Sequence, residues 1–169
     1  WDFIEVLTAW LQGKLAMVGC TWPPYGRFSE EYGKGTKQME WVPPSTIAGK
    51  VKYFVMPGGW SQMASGFLLS VSADSKAKEA AYLYIQWANS PTISLQRVLL
   101  PYSLRDPFRI SHYESPEYRS KWPNAGLYLD TLRASADKCL LDLIMPGAHD
   151  FEVAMDQILG AAQGGTPVE

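Results

Sequence analysis

Residues 10–22 read Trp-Leu-Gln-Gly-Lys-Leu-Ala-Met-Val-Gly-Cys-Thr-Trp. Trp10 and Leu11 close a run with helical spacing, Gly13 stops it as a C′ residue would, and Leu15 to Val18 is short and wholly apolar. A run of that kind suits a strand covered on both faces, as in a parallel sheet. Trp22, ahead of Pro23 and Pro24, then stands at the carboxyl end of that strand, where open α/β sheets bind ligands. The stretch predicts an α/β fold and makes Trp22 the first candidate for touching a ligand.

Upstream, Asp2 and Glu5 have capping-box spacing, and Phe3, Val6, Leu7, Trp10 and Leu11 recur at helical intervals. Downstream, residues 23–50 carry Pro, Gly and mixed charge without sustained periodicity and read as a long loop, a length associated with function or mobility. Val51 to Met56 reads as a strand running into Pro57-Gly58-Gly59, and Phe67 to Val71 as a second apolar run. A helix capped by Asp74 or Ser75 follows, with Ala77, Ala80, Ala81, Tyr84, Ile85 and Ala88 on one face and Lys76, Lys78 and Glu79 in water. Its small residues imply close packing on a sheet. Ser90-Pro91 opens another short helix through Leu99.

Residues 100–123, punctuated by prolines, read as irregular. Leu129, Leu132, Ala136, Cys139, Leu140 and Leu143 return to helical spacing, Pro146-Gly147 breaks it, and Phe151, Met155, Ile158, Leu159 and Ala162 form a last amphipathic face.

The 169 residues suffice for one core, and 47% apolar with 19% charged residues is an ordinary globular balance. A net charge of −2 without a basic run predicts neither nucleic acid nor an anionic membrane as a partner. No apolar run approaches the ~18 residues of a membrane span. Trp1 already lies inside helical periodicity, and Thr166-Pro167-Val168-Glu169 reads as the opening of a helix, so the chain reads as a segment of a longer one. Cys20 and Cys139 allow either one bridge or two separate thiols.

Chemistry-bearing patterns are few. His149-Asp150 lacks a serine in a nucleophile elbow, and Asp150 is more simply a first-turn acid on a helix dipole. There is no HExxH, no CxxC, no EF-hand loop, no GxGxxG and no Walker loop, so neither a metal nor a cofactor is expected. The 17 acidic residues leave open a carboxylate pair, and with it a carbohydrate-active hydrolase as the alternative. Binding has more to support it. Aromatics make up 13% of the chain, and Trp22, Tyr25, Trp60 and Phe151 all lie beside breaker residues at element ends. Sugars present apolar faces flanked by hydroxyls, which aromatic platforms paired with Asp, Glu, Asn or Arg forks complement.

Several segments, in order, resemble the extracellular solute-binding proteins of ABC importers, the maltose-binding-protein-like family. GKLAM (13–17) followed by Trp22 resembles that family's GKxAM segment and its ligand-facing Trp. VKYFVMPGG (51–59) is similar to its strand entering a Pro-Gly loop, and residues 65–90 to a Gly-rich strand preceding a Ser-x-x-Lys-x-x-Ala helix. Residues 101–125, which include Arg109, resemble the Pro/Arg-Ser segment of the sugar-binding branch. Residues 145–169 resemble the late helix whose first aromatic, here Phe151, faces the cleft. Phe stands where some relatives have Trp, and residues 23–50 have no counterpart.

The resemblance implies a type II periplasmic-binding-protein-like α/β lobe, incomplete here, with residues 1–71 and 104–169 in the C-terminal lobe and 72–103 crossing to the other. It implies a non-enzymatic, periplasmic or extracellular protein that binds a solute, a sugar in the first instance, and delivers it to an ABC permease in the membrane. The ligand-binding set is then Trp22, Tyr25, Trp60, Phe151, Asp150 and Arg109.

Overall fold

A computed structural model describes residues 2–19, 24–31, 40–58, 63–64, 68–100, 103, 105–141, 145–162 and 164. Among these the chain forms eight helices: α1 (Phe3–Leu11), α2 (Pro24–Glu31), α3 (Lys78–Ala88), α4 (Pro91–Leu99), α5 (Ile110–Glu114), α6 (Pro116–Arg119), α7 (Ala125–Ala136) and α8 (Ala148–Ala162). The expected α/β lobe is absent from the described residues. Their strand pairing is confined to β1 (Met63–Ala64) beside β2 (Leu140–Leu141), parallel, with Met63 opposite Leu140 and Ala64 opposite Leu141. Two residues on two strands make no layer for helices to cover, so the fold is helical and the expected type II architecture is corrected.

The reason lies in the apolar runs. Leu15–Val18 is irregular and leaves Met17 73% exposed. Val51–Met56 is extended and turns Val51, Tyr53 and Val55 inward, the two-residue period of a strand. It nevertheless lacks ladder partners among the described residues. Residues 68 and 69, the described leucines of the third run, are exposed.

Helix termini follow their local chemistry closely. The Asp2 carboxylate accepts from the Ile4 and Glu5 amides at 2.9 and 2.8 Å, and the Glu5 carboxylate accepts from the Asp2 amide at 2.9 Å, a complete capping box. At the other end Gly13, at φ +72°, donates to the Trp10 carbonyl and Lys14 donates to the Ala9 carbonyl, a Schellman closure. Pro91 opens α4 at the expected place, and Gly147, at φ +79°, separates α8 from what precedes it. Other boundaries moved. Residues 23–50 contain α2 rather than only loop, α5 and α6 interrupt the irregular 100–123 stretch, and α7 starts before its expected face. Neither Asp74 nor Ser75 caps α3; its N-cap is Ala77.

Two clusters hold the core. Leu7 and Leu11 of α1 pack on Tyr25 and Phe28 of α2 with Val42, and Val98 and Leu99 of α4 pack on Tyr118, Trp122, Ala125, Tyr128 and Leu129 around α6 and α7. Ion pairs at 2.8 Å (Arg119–Asp130) and 3.0 Å (Arg133–Glu114) tie α7 to α6 and α5 on the surface, where each contributes ~0–1 kcal/mol.

Between the clusters lies Arg27. It is 1% exposed, its Nη1 donates to the Val98 carbonyl at 2.6 Å and to the Tyr118 hydroxyl at 3.3 Å, and its Nη2 donates to the Leu100 carbonyl at 2.5 Å. The guanidinium carbon stands 5.4 Å from the Tyr118 ring centre and 5.9 Å from that of Trp122, within cation–π reach of both. A second tie runs beside it: the Tyr53 hydroxyl donates to the Gly26 carbonyl at 3.1 Å, and the Tyr53 ring lies so close to Gly26 that a Cβ there would not fit.

The α3 helix departs from its expected packing. Lys76, Lys78 and Glu79 are exposed as expected, but so is Ala80, while Ala81 is half-buried and Ala88 is the helix's one fully buried residue. With no sheet beneath it, the small-residue face has no flat surface to lie on.

Candidate functional site

Of the six residues singled out for a ligand, Trp22 and Trp60 lie outside the described residues. The other four fall in three separate neighbourhoods. Tyr25 is core: it is buried on α2, its hydroxyl donates to the Phe3 carbonyl, and its ring stacks on Phe3 at 6.2 Å. Burial, and then the charge of Asp2, push its phenol pKa up. The ring therefore holds α2 to α1 and offers no face to a solute.

Arg109 caps the start of α5 and is half-buried. Its Nη2 donates to the Asn89 carbonyl at the α3–α4 junction, and its guanidinium carbon stands 5.8 Å from the Phe108 ring. Its Nε is buried with no hydrogen-bond partner among the described residues. This arginine pins two helix ends together more than it presents a fork.

Asp150 and Phe151 sit side by side on the first turn of α8, and both are exposed, Phe151 by 56%. The turn Met145-Pro146-Gly147 sets them there: the Ala148 amide donates to the Met145 carbonyl at 3.1 Å and the Asp150 amide to the Gly147 carbonyl at 2.9 Å. A carboxylate at this helix start is favoured by the dipole. An open aromatic face beside a carboxylate is the combination that takes an apolar sugar face and an adjacent hydroxyl.

One pair was not legible in the sequence. Ser94 on α4 and His112 on α5 are both fully buried, with Oγ and Nε2 3.0 Å apart. The Phe108 amide donates to His112 Nδ1 at 3.4 Å, and the Ser94 hydroxyl is within bonding distance of the Pro91 carbonyl at 3.2 Å. These partners assign the neutral tautomer with the proton on Nε2, donating to Ser94. Polarity is thus the reverse of a serine activated by a general base. The pair closes a buried network and does not present a nucleophile.

Burial first, and the Arg109 charge second, hold the His112 pKa below its ordinary value. The unfolded chain therefore takes up a proton just below pH ~6.5 that the folded chain refuses. The stability that the neutral ring contributes is full above that pH and is lost as pH falls beneath it. Urea unfolding from pH 7 to pH 5 should show a declining free energy, with a slope of up to ~1.4 kcal/mol per pH unit from this group. A His112→Gln variant should show a flatter profile. Equal slopes for the two proteins would remove His112 from the account.

Cys139 carries a free thiol, half-buried after α7, while Cys20 lies outside the described residues. Among the described residues no group of three His, Cys, Asp or Glu could hold a metal ion, and no helix is long and apolar enough to cross a membrane. The chain matches no protein-family model, no curated protein and no solved structure.

Proposed function

We propose that this chain binds a polar solute of the carbohydrate class and passes it to an ABC permease, acting without catalysis and without a cofactor, on the outer side of a membrane. The observation that carries the reading is the first turn of α8, where Phe151 shows an open ring beside the exposed Asp150. It is supported by the resemblance of segments 13–17, 51–59, 65–90, 101–125 and 145–169, taken in order, to importer-associated binding proteins. The reading rests on those residues and not on the α/β architecture, which the described residues do not form.

Stacking on Phe151 is expected to contribute ~1–3 kcal/mol, the sum of apolar burial and the aromatic face. Saturation-transfer NMR with a panel of mono- and oligosaccharides reads contacts of low affinity directly. At least one sugar should show transfer to its ring protons, and Phe151→Ala should weaken that binding ~5- to 150-fold. The melting temperature should not move, because the ring is open to water. No transfer to any sugar, or an unchanged affinity in Phe151→Ala, would overturn the assignment.

A further inference from the structure

Among the described residues two helices carry exposed apolar faces. None of the 15 residues of α8 is buried, and Met155, Ile158 and Leu159 form an exposed stripe at i, i+3 and i+4. Glu152 and Asp156 flank the stripe on one side, Glu152 standing 3.6 Å from the His149 ring, and α8 contains no Lys or Arg. On α3, Ala80, Leu83, Tyr84 and Trp87 share a face by the same spacing and are all exposed, with the Tyr84 and Trp87 rings 5.8 Å apart. Glu79 borders this second face on its first turn, and the C-terminal end of the face has a cationic edge. Arg105 is exposed and close enough to Arg97 and Tyr84 for both to act on its guanidinium, burial and the Arg97 charge pushing its pKa down. Arg97 is anchored at 2.9 Å on the Ala88 carbonyl at the end of α3.

We propose that the carboxylate-flanked face of α8 in one copy of this chain docks on the arginine-edged face of α3 in a second copy. Both halves of the contact are present on each copy, each apolar at the centre, with the Glu152 and Asp156 edge of α8 opposite in charge to the Arg97 and Arg105 edge at the end of α3. Within one copy both faces stay exposed, so neither satisfies the other. A lipid surface is the poorer occupant, because the carboxylates beside the α8 stripe repel anionic headgroups. The contact is heterologous: each copy offers one face of each kind, so association runs head to tail and grows with concentration. Phe151 lies on the same face one turn before Met155, but the variants below leave Phe151 in place, and their effect is distinguishable from a loss of solute binding.

Sedimentation velocity from about 10 μM to about 1 mM covers the range in which a contact of one helix face associates. The average mass of the unaltered chain should rise with concentration, and less so in high salt, which screens the charged edges. Ile158→Glu and Trp87→Glu should each be monomeric, and both replace exposed side chains, so the fold should survive, as a thermal melt checks. Mixed, they should form a one-to-one dimer and nothing larger, since one retains the α3 face and the other the α8 face. Should either variant melt early, Arg105→Glu gives the same reading through charge alone, by weakening association at least tenfold. A chain that is monomeric throughout, a Trp87→Glu variant that still self-associates, or a mixture that stays monomeric would each overturn the proposal.

Discussion

Replacing Arg27 by alanine is expected to destabilise the protein by ~3–5 kcal/mol, a large share of what a domain of this size has. The guanidinium is buried and supplies donors to the Val98 and Leu100 carbonyls, which no side-chain substitution can remove. A buried ion pair exchanged whole for apolar groups is often neutral, but here the acceptors stay behind and lose their partner. Alanine also leaves the volume between Tyr118 and Trp122 unfilled. Arg27→Met fills much of that space and should cost ~2–4 kcal/mol, the part owed to the orphaned carbonyls. Arg27→Lys should fall between wild type and Ala, because one ammonium lacks the planar fork that spans two carbonyls and stacks on rings. With a urea slope of ~2 kcal/mol per molar, the Ala variant loses roughly 2 M in its midpoint. A Met variant within ~0.5 kcal/mol of wild type would show that Arg27 does not join the two clusters.

Trp122→Ala is expected to cost ~3–5 kcal/mol as well. The indole is buried and packs edge-on against Tyr118, with centres 6.0 Å apart, and Tyr128, at 5.5 Å. Tyr53 meets Tyr128 in turn at 5.3 Å, so one ring fills the space shared by α6, α7 and the extended 51–56 segment. Burial of this group is complete enough to push the Tyr128 pKa well up. Because Arg27 lies over the same indole, its loss and that of Trp122 should not add: a cycle of Arg27→Met, Trp122→Ala and the double variant should give a coupling of ~1–2 kcal/mol. Trp87→Ala is the control. Its ring is exposed, and the change should stay within ~0.5 kcal/mol at concentrations too low for self-association. Additive effects at 27 and 122 would mean that the arginine's hydrogen bonds act alone.

The four described residues of the expected ligand set divide by what neighbours each one needs. Phe151 and Asp150 could be placed at a helix start because Pro146-Gly147 stands immediately before them, and the structure keeps them there, in the open. Tyr25 looked like an element-end aromatic and is core, because α2 forms where loop was expected and lays that ring on Phe3. Arg109 turns back to Asn89, 20 residues earlier, a partner that no spacing rule supplies.

What the sequence determined by itself is short in range: the Asp2–Glu5 capping box, the Gly13 closure of α1, the start of α4 at Pro91 and the break at Gly147. Each is settled within about five residues, where a cap or a left-handed glycine competes only with its own chain neighbours. Tertiary structure decided the rest. Leu15–Val18 and Val51–Met56 have strand-like composition, but a strand exists only when another segment supplies its ladder, and among the described residues none does so for either run. Arg27 became the joint of the core by reaching acceptors 71, 73 and 91 residues away. Its sequence neighbours could not announce that, because a buried charge is tolerated only where distant carbonyls and rings converge on it.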